Sequence, residues 1–321
     1  MSCEISAKFY GVNSLNDNFY LSCLEDNLKS FLDYGFLNIG GFVNINIPTS
    51  GLYDNTFSQL KYVDDPGHQQ KRVWQTPKKD WVWETGINYN DSSPVNISGV
   101  YVDDIFYPAP SGSGNLTYTL DYNNGQVIFD RDVSKTANIN MSYSYRWCQV
   151  IKSTNNDGWK YLQNLTYQPN DSISTPSIGD NAIISKHRVQ MPCIVIEIAS
   201  RNKDAPYELG SLVAFRDQDI ILNIYTENIN DLNTIMDIIR YQKDRTINLY
   251  DIKKVVNLGL YGLNGDGSKN DTGLNYSDII NNSSLLWNKL FVKDIVFVET
   301  KKNSTGTIFW CILRITGQTI L

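Results

Sequence analysis

Histidine is almost absent from this sequence. Only His68 and His187 occur, so the commonest general base and metal ligand is missing from nearly every position. Neither lies in a nucleophile elbow, and no Ser-His-Asp order is recognisable around them. Cysteine is sparse too: Cys3, Cys23, Cys148, Cys193 and Cys311 are odd in number, far apart and without C-x-x-C spacing. Neither a disulfide framework nor a zinc cluster is expected from them, and they read as buried apolar thiols. No apolar run approaches the roughly 20 residues that span a bilayer. The opening Met1-Ser2-Cys3-Glu4 has no basic segment followed by an apolar stretch, so the chain reads as one made in a cytoplasm, with no membrane partner.

Charge is also in short supply. Asp, Glu, Lys and Arg make up 19% of the chain, the net charge is −6 and no long like-charge run occurs. A grip on nucleic acid needs clustered Lys and Arg to neutralise phosphates, so sequence-specific binding is not expected. Passive contact with DNA in a channel is compatible with the acidic balance, because such a wall repels phosphate. Ser111-Gly112-Ser113-Gly114 lacks the following helix and the Lys of a phosphate cradle and reads as a flexible loop. The tract Asn264 to Asp271 places oxygen side chains at alternate positions, as a calcium loop does, but lacks the terminal bidentate Glu and reads as a polar turn. Asp64-Asp65 and Asp103-Asp104 are adjacent pairs, whose side chains point apart on a strand or turn rather than flanking a glycosidic bond. No catalytic, cofactor-binding or metal-ligating residue is assigned, and the expectation is a protein that is not an enzyme.

What the sequence does have is length, apolar content and aromatic rings. With 321 residues and 41% hydrophobic content, a large core can be buried. Leu21, Leu24, Leu28, Phe31 and Leu32 share one helical face, with Asn16 to Asn18 as cap and Gly35 as the stop. Val43, Ile45 and Ile47 alternate with polar residues as a half-buried strand before Pro48. Residues 49–81 show no period and read as a long irregular arm.

Residues 82–147 read as an inserted all-β module. Asp103-Asp104 joins strands at Val100 to Val102 and Ile105 to Tyr107. Asn123-Asn124-Gly125 joins Thr117 to Tyr122 with Gln126 to Phe129, and its Asn-Gly pair suits a type I′ turn. A strand alternating Ile139, Met141, Tyr143 and Tyr145 with Asn140, Ser142 and Ser144 suggests one covered face.

After a polar stretch at 155–177, strands are expected at Cys193 to Ala199, Ile220 to Tyr225, Thr246 to Tyr250, Leu290 to Val298 and Thr307 to Thr316. An amphipathic helix lies between Asn228 and Lys243, with Leu232, Ile235, Met236 and Ile239 on one face. The expected class is α+β: a helix-covered mixed or antiparallel sheet core (1–48 and 148–321), the arm at 49–81 and the β module at 82–147.

The 20 Tyr and 7 Trp serve β cores, subunit contacts or sugar stacking, and the sequence leaves all three open. Trp74, Trp81, Trp83, Tyr101, Phe106 and Tyr107 are the interface candidates.

Two stretches carry a resemblance. Ser98 to Pro108, Leu120 to Asp130 and Ser142 to Tyr145 together resemble β modules of virion structural proteins from large tailed phages, especially those of marine bacteria. Tyr207 to Gly210, Arg216 to Ile220, the helix at 229–242 and Thr246 to Ile252 are similar to the remainder of such proteins. The element order is also similar to tail-terminator and neck subunits, although the arm and β insertion depart from a minimal terminator. The resemblance implies a structural subunit of the neck, head–tail connection or upper tail, located in the virion and assembled in the host cytoplasm. Its implied partners are copies of itself in an oligomeric ring and other tail or neck proteins. The alternative it leaves is a baseplate or tail-fibre-associated protein that binds receptor glycans through the aromatic β module.

Overall fold

The computed structural model describes residues 20–47, 57–65, 67–109, 112–113, 116–155, 189–206, 208, 214–302 and 308–320. The molecule is mostly β, with four sheets and, among the described residues, four α-helices.

The larger unit is a six-stranded mixed sheet. Its strands are β11 (Gln149–Lys152), β12 (Cys193–Pro206), β13 (Ala214–Thr226), β16 (Phe309–Ile320), β15 (Leu286–Lys302) and β14 (Thr246–Tyr250), in that spatial order. Only the β11–β12 pair is parallel. Two helices, α1 (Tyr20–Asn38) and α2 (Ile229–Arg240), pack on one face. Alternation places Ile194 and Ile196, Ile220, Leu222 and Ile224, and Cys311 and Leu313 beneath them, where they meet Leu24, Leu28 and Leu32 of α1 and Leu232, Ile235 and Ile239 of α2. Asn228 caps α2 by accepting the Asn230 amide at 2.9 Å, a role for which Asn is well suited.

Several boundaries differ from the sequence reading. Helix α1 runs through Gly35 to Asn38 and stops at Gly40, whose φ is +84°. A glycine inside a helix costs only about 1 kcal/mol relative to Ala, and burial of Phe36 and Leu37 beyond it outweighs that. Leu21 is exposed rather than on the packed face, and the proposed cap at Asn16 to Asn18 lies outside the described residues. The long strands extend well past their predicted ends, because pairing with a neighbour holds polar segments such as Asn202 to Asp204 in the ladder against Gln218 to Arg216.

The smaller unit contains three sheets. Strands β2 (Lys61–Val63), β3 (Val73–Gln75), β8 (Gln126–Phe129), β7 (Leu116–Asp121) and β6 (Gly112–Ser113) form the first. Strands β5 (Ile105–Pro108), β4 (Gly99–Val102) and β9 (Ile139–Asn140) form the second, and β1 (Phe42–Ile45) with β10 (Tyr143–Arg146) the third. The segment read as an irregular arm is therefore part of this unit in its described portion: β2 and β3 pair onto β8 and bring Trp74 into its core. Those strands are three residues long, too short for periodicity to reveal.

The two hairpins expected in the module are present. Asp103 and Asp104 both take positive φ, 48° and 66°, in a two-residue turn. The second hairpin differs in detail. Asp121 pairs with Gln126, which leaves a four-residue turn in which Gly125 alone has positive φ, +67°. Gly112 and Ser113 pair with Thr117 and Leu116 rather than forming a loop. The expected strand at 139–145 is broken after Asn140, its first part pairing with β4 and its second with β1. Its polar face is covered at Ser144, which donates to Asn44 Oδ1 and accepts from the Val95 amide.

Candidate functional site

The six aromatic candidates separate into core and surface. Trp74 and Trp81 are 2% and 1% exposed and belong to the module's core, not to an interface. The Trp81 indole packs edge-on against Tyr122 and tilted against Tyr143, and its N–H donates to Thr76 Oγ1 at 3.1 Å. Trp83 and Tyr107 are half-buried against the same core. Tyr101 and Phe106 are exposed, their rings 5.0 Å apart across the Asp103-Asp104 hairpin beside Ile105, which is 59% exposed.

A cavity of about 320 Å³ lies where the smaller unit meets the larger. Several elements build it. Helix α1 supplies Lys29 and Asp33, the segment after β3 supplies Asp80, Trp83 and Glu84, β10 supplies Arg146, and the chain between α3 (Ile252–Asn257) and α4 (Tyr276–Asn281) supplies Tyr261 and Gly262. The local structure is fixed by backbone bonds, two within the smaller unit and one, from Tyr122, across the junction. Arg146 N donates to Asp80 O at 3.0 Å, Asp80 N to Asn123 O at 3.2 Å, and Tyr122 N to Gly267 O at 2.9 Å. Asp80 sits at φ +61°, a conformation uncommon outside glycine, for which Asp and Asn have the shortest polar side chains able to compensate.

The charged groups form a chain. Lys29 donates to Asp33 Oδ2 at 2.5 Å, and Arg146 Nη2 meets both Glu84 carboxylate oxygens at 2.6 and 2.8 Å. The Arg146–Glu84 pair is buried, with side chains 6% and 5% exposed. Burial alone would depress both cations, but the Asp33 and Asp80 carboxylates beside Lys29, and Glu84 and Asp33 beside Arg146, outweigh it and hold both firmly protonated. Burial pushes the Asp80 carboxyl up, and the Asp33 charge adds to this while Lys29 and Arg146 oppose it. Two buried atoms in this set have no hydrogen-bond partner, Asp33 Oδ1 and Arg146 Nη1.

None of these residues was singled out from the sequence. Lys29 and Asp33 carried the one local signal, an i,i+4 pair; Asp80 and Glu84 lie in a segment without a period, and Arg146 is 62 positions beyond Glu84. Elsewhere, His68 is exposed, and His187 lies outside the described residues. In the tract after Asn264, Asp266 accepts from the Ser268 amide at 3.0 Å and its hydroxyl at 2.6 Å, and Leu263 bridges Lys269, which makes a polar hairpin turn. Asp65 accepts from the Gly67 amide at 2.8 Å within its own turn. Cys23, Cys148, Cys193 and Cys311 are free and buried, and burial raises each thiol.

The six-stranded sheet has a further feature. Strand β11 covers the outer edge of β12 only at Cys193 to Ile196, and β14 covers β15 only at Leu286 to Phe291. Beyond them, the outer edges of residues 197–206 of β12 and 294–298 of β15 carry no further strand among the described residues. Cys193 aligns through Tyr225 and Trp310 with Lys301, so the covered half of β12 and the free half of β15 lie at the same end. The free halves are therefore diagonal. Three antiparallel pairings separate β12 from β15, so the two free edges run in opposite directions.

No helix among the described residues is long and apolar enough to cross a membrane. No known family model matches the chain, and no curated protein matches it.

Proposed function

We propose that this chain is an oligomeric structural subunit of a tailed-phage virion, in the neck, head–tail connection or upper tail, working through contacts with copies of itself and with neighbouring tail proteins. The virion assignment rests on the sequence resemblance. The oligomeric part rests on one structural observation, the two diagonal outer edges of the six-stranded sheet, residues 197–206 and 294–298, that carry no further strand among the described residues.

A second copy set beside the first and slid along the strand axis brings the free half of its β12 against the free half of β15, antiparallel. Outward N–H and C=O groups of the two edges then pair with each other, which turns an aggregation liability into a specific contact. Bulges between Ile198 and Asn202 and between Phe297 and Glu299 interrupt both edges and disfavour arbitrary strands. Because β12 meets β15 rather than itself, the contact is head-to-tail and closes into a ring when the rotation per subunit permits. The helix-covered sheet then serves as the rigid frame of the subunit, with the exposed Tyr101 and Phe106 hairpin reaching outward to other tail proteins.

The test is a double variant, Asn202→Cys with Val296→Cys. The two positions are held apart within one copy by β13 and β16, so a disulfide between them forms only between copies. The expected result is a ladder of cross-linked species under oxidising conditions and rings by electron microscopy. A chain that stays monomeric at high concentration, does not cross-link and is missing from purified particles defeats the proposal.

A further inference from the structure

We propose that Asn264 is a site of spontaneous covalent modification, cyclising onto the Gly265 amide and opening to isoaspartate, while Asn124, in the chain's other Asn-Gly pair, is held unreactive by the fold. The sequence contains these two pairs and no other. A glycine after asparagine leaves the amide nitrogen open to approach and its backbone free to turn, and the side-chain carbonyl is kept beside that nitrogen by the chain itself. Local sequence therefore makes both pairs reactive, and the surroundings decide between them.

In the first step Gly265 N forms a bond to Asn264 Cγ, the Cγ–Nδ2 bond breaks, and ammonia leaves with the proton that the amide gives up. Water then opens the cyclic imide. Cleavage at the main-chain carbonyl of residue 264 leaves isoaspartate, with the backbone running through the former side chain, and cleavage at Cγ leaves aspartate. Water is the sole co-reactant.

Asn264 and Gly265 are exposed, and nothing stands within 4 Å of where a Cβ on Gly265 would lie. The Gly265 amide has no hydrogen-bond partner among the described residues. Ring closure gives up the exposed bond from Asn264 Nδ2 to Ser268 Oγ, 3.0 Å, and the bond from the Gly267 amide to Asn264 O, 3.0 Å. Gly125, in contrast, is buried. Its carbonyl receives the Thr76 amide at 3.0 Å, and Asn124 Nδ2 is held by Asp121 Oδ2 at 2.6 Å. Lys78 O and Lys79 Cα stand 2.7 and 2.8 Å from where a Cβ on Gly125 would lie, so the 124–125 peptide has no room to turn. Conversion at 264 replaces the Nδ2 donor, which faces Ser268 Oγ and Lys269 O, with a carboxylate oxygen. The same turn carries the Gly267 carbonyl that receives the Tyr122 amide across the junction at 2.9 Å, so the modification loosens that link. This inference is independent of the oligomeric reading.

The test holds the folded full-length chain at mildly alkaline pH and follows both sites by peptide mass mapping, with isoaspartate detected by enzymatic methylation of its α-carboxylate. Conversion at Asn264 should outrun that at Asn124 by about tenfold or more, the scale of losing one buried hydrogen bond, and in urea the two rates should converge. Gly265→Ala, whose methyl group meets open space, should suppress conversion at 264 and leave 124 unchanged. Equal rates in the folded chain, a preference that persists in urea, a product without isoaspartate, or conversion at 264 that survives Gly265→Ala would overturn the assignment. The converted chain should also melt below a fresh sample; an equal melt would overturn the link to the junction.

Discussion

In the smaller unit, strands of two to six residues surround Trp74, Trp81, Tyr118, Tyr122, Phe129 and Tyr143. In the larger, four long strands of 12 to 17 residues carry Ile, Leu and Val beneath two helices. A short strand offers one or two inward positions, and large rings at several of them fill the space; a long strand offers many and fills it with aliphatic side chains. The rings also tie down loops through their polar tips. Tyr143 OH donates to Phe57 O at 2.9 Å and Tyr118 OH to Tyr107 O at 2.9 Å, contacts that an aliphatic core has no atoms to make. Aromatic richness here is first a way to build a core from short strands.

This contrast can be broken by substitution. Trp81→Ala should cost about 3–5 kcal/mol, and Ile235→Ala in α2 about 2–5 kcal/mol. If the two cores are separate cooperative units, urea titrations followed by tryptophan fluorescence and by far-UV circular dichroism should diverge in Trp81→Ala. Coincident curves would mean the junction couples both units into one transition.

The junction itself can be cut. Glu84→Gln leaves the Arg146 charge buried with its carboxylate gone and should cost about 3–5 kcal/mol, in the same range as the core truncation but without removing apolar volume. A loss under 1 kcal/mol would mean that solvent reaches Arg146.

Gly125→Val tests the turn that joins β7 to β8. A Cβ at 125 would stand 2.7 Å from Lys78 O and 2.8 Å from Lys79 Cα, at φ +67°, so the loss should exceed about 1 kcal/mol and appear as a lowered melting temperature. An unchanged melt would mean the turn rearranges freely.

The smallest expected effect is on pH dependence. Burial holds the folded Asp80 carboxyl above its ordinary 3.8, so the folded chain keeps a proton that the unfolded chain has released. That contribution is present at low pH and is lost as pH rises from 3.8 through the raised value. Asp80→Asn, which also tolerates the positive φ, should flatten this slope in urea melts between acid and neutral pH. A slope equal to that of the parent would assign the dependence to other groups.

How much of this was legible in advance differs between the regions. The helix at 229–240 and the strand at 246–250 were readable because Leu232, Ile235 and Ile239 repeat at helical spacing and Asn228 stands where a cap is needed. The Asp103-Asp104 turn was readable because two residues suffice to specify it. The pairing of β2 with β3 and of β3 with β8 was not, since three-residue strands leave no period and the β8 partner of β3 lies over 50 positions away. The cavity was invisible for the same reason: Asp33, Asp80 and Arg146 meet only after both units have folded.

The sequence by itself determined the local elements, the turn chemistry and the absence of a recognisable catalytic motif, because those depend on residues within a few positions of one another. Tertiary structure alone decided that Trp74 and Trp81 are core, that charged groups from α1, the 80–84 segment and β10 share one buried site, and that two diagonal edges of the sheet carry no further strand among the described residues. Each of these depends on which distant segments pair, and pairing is settled by the total burial and hydrogen bonding of the whole chain rather than by any local pattern.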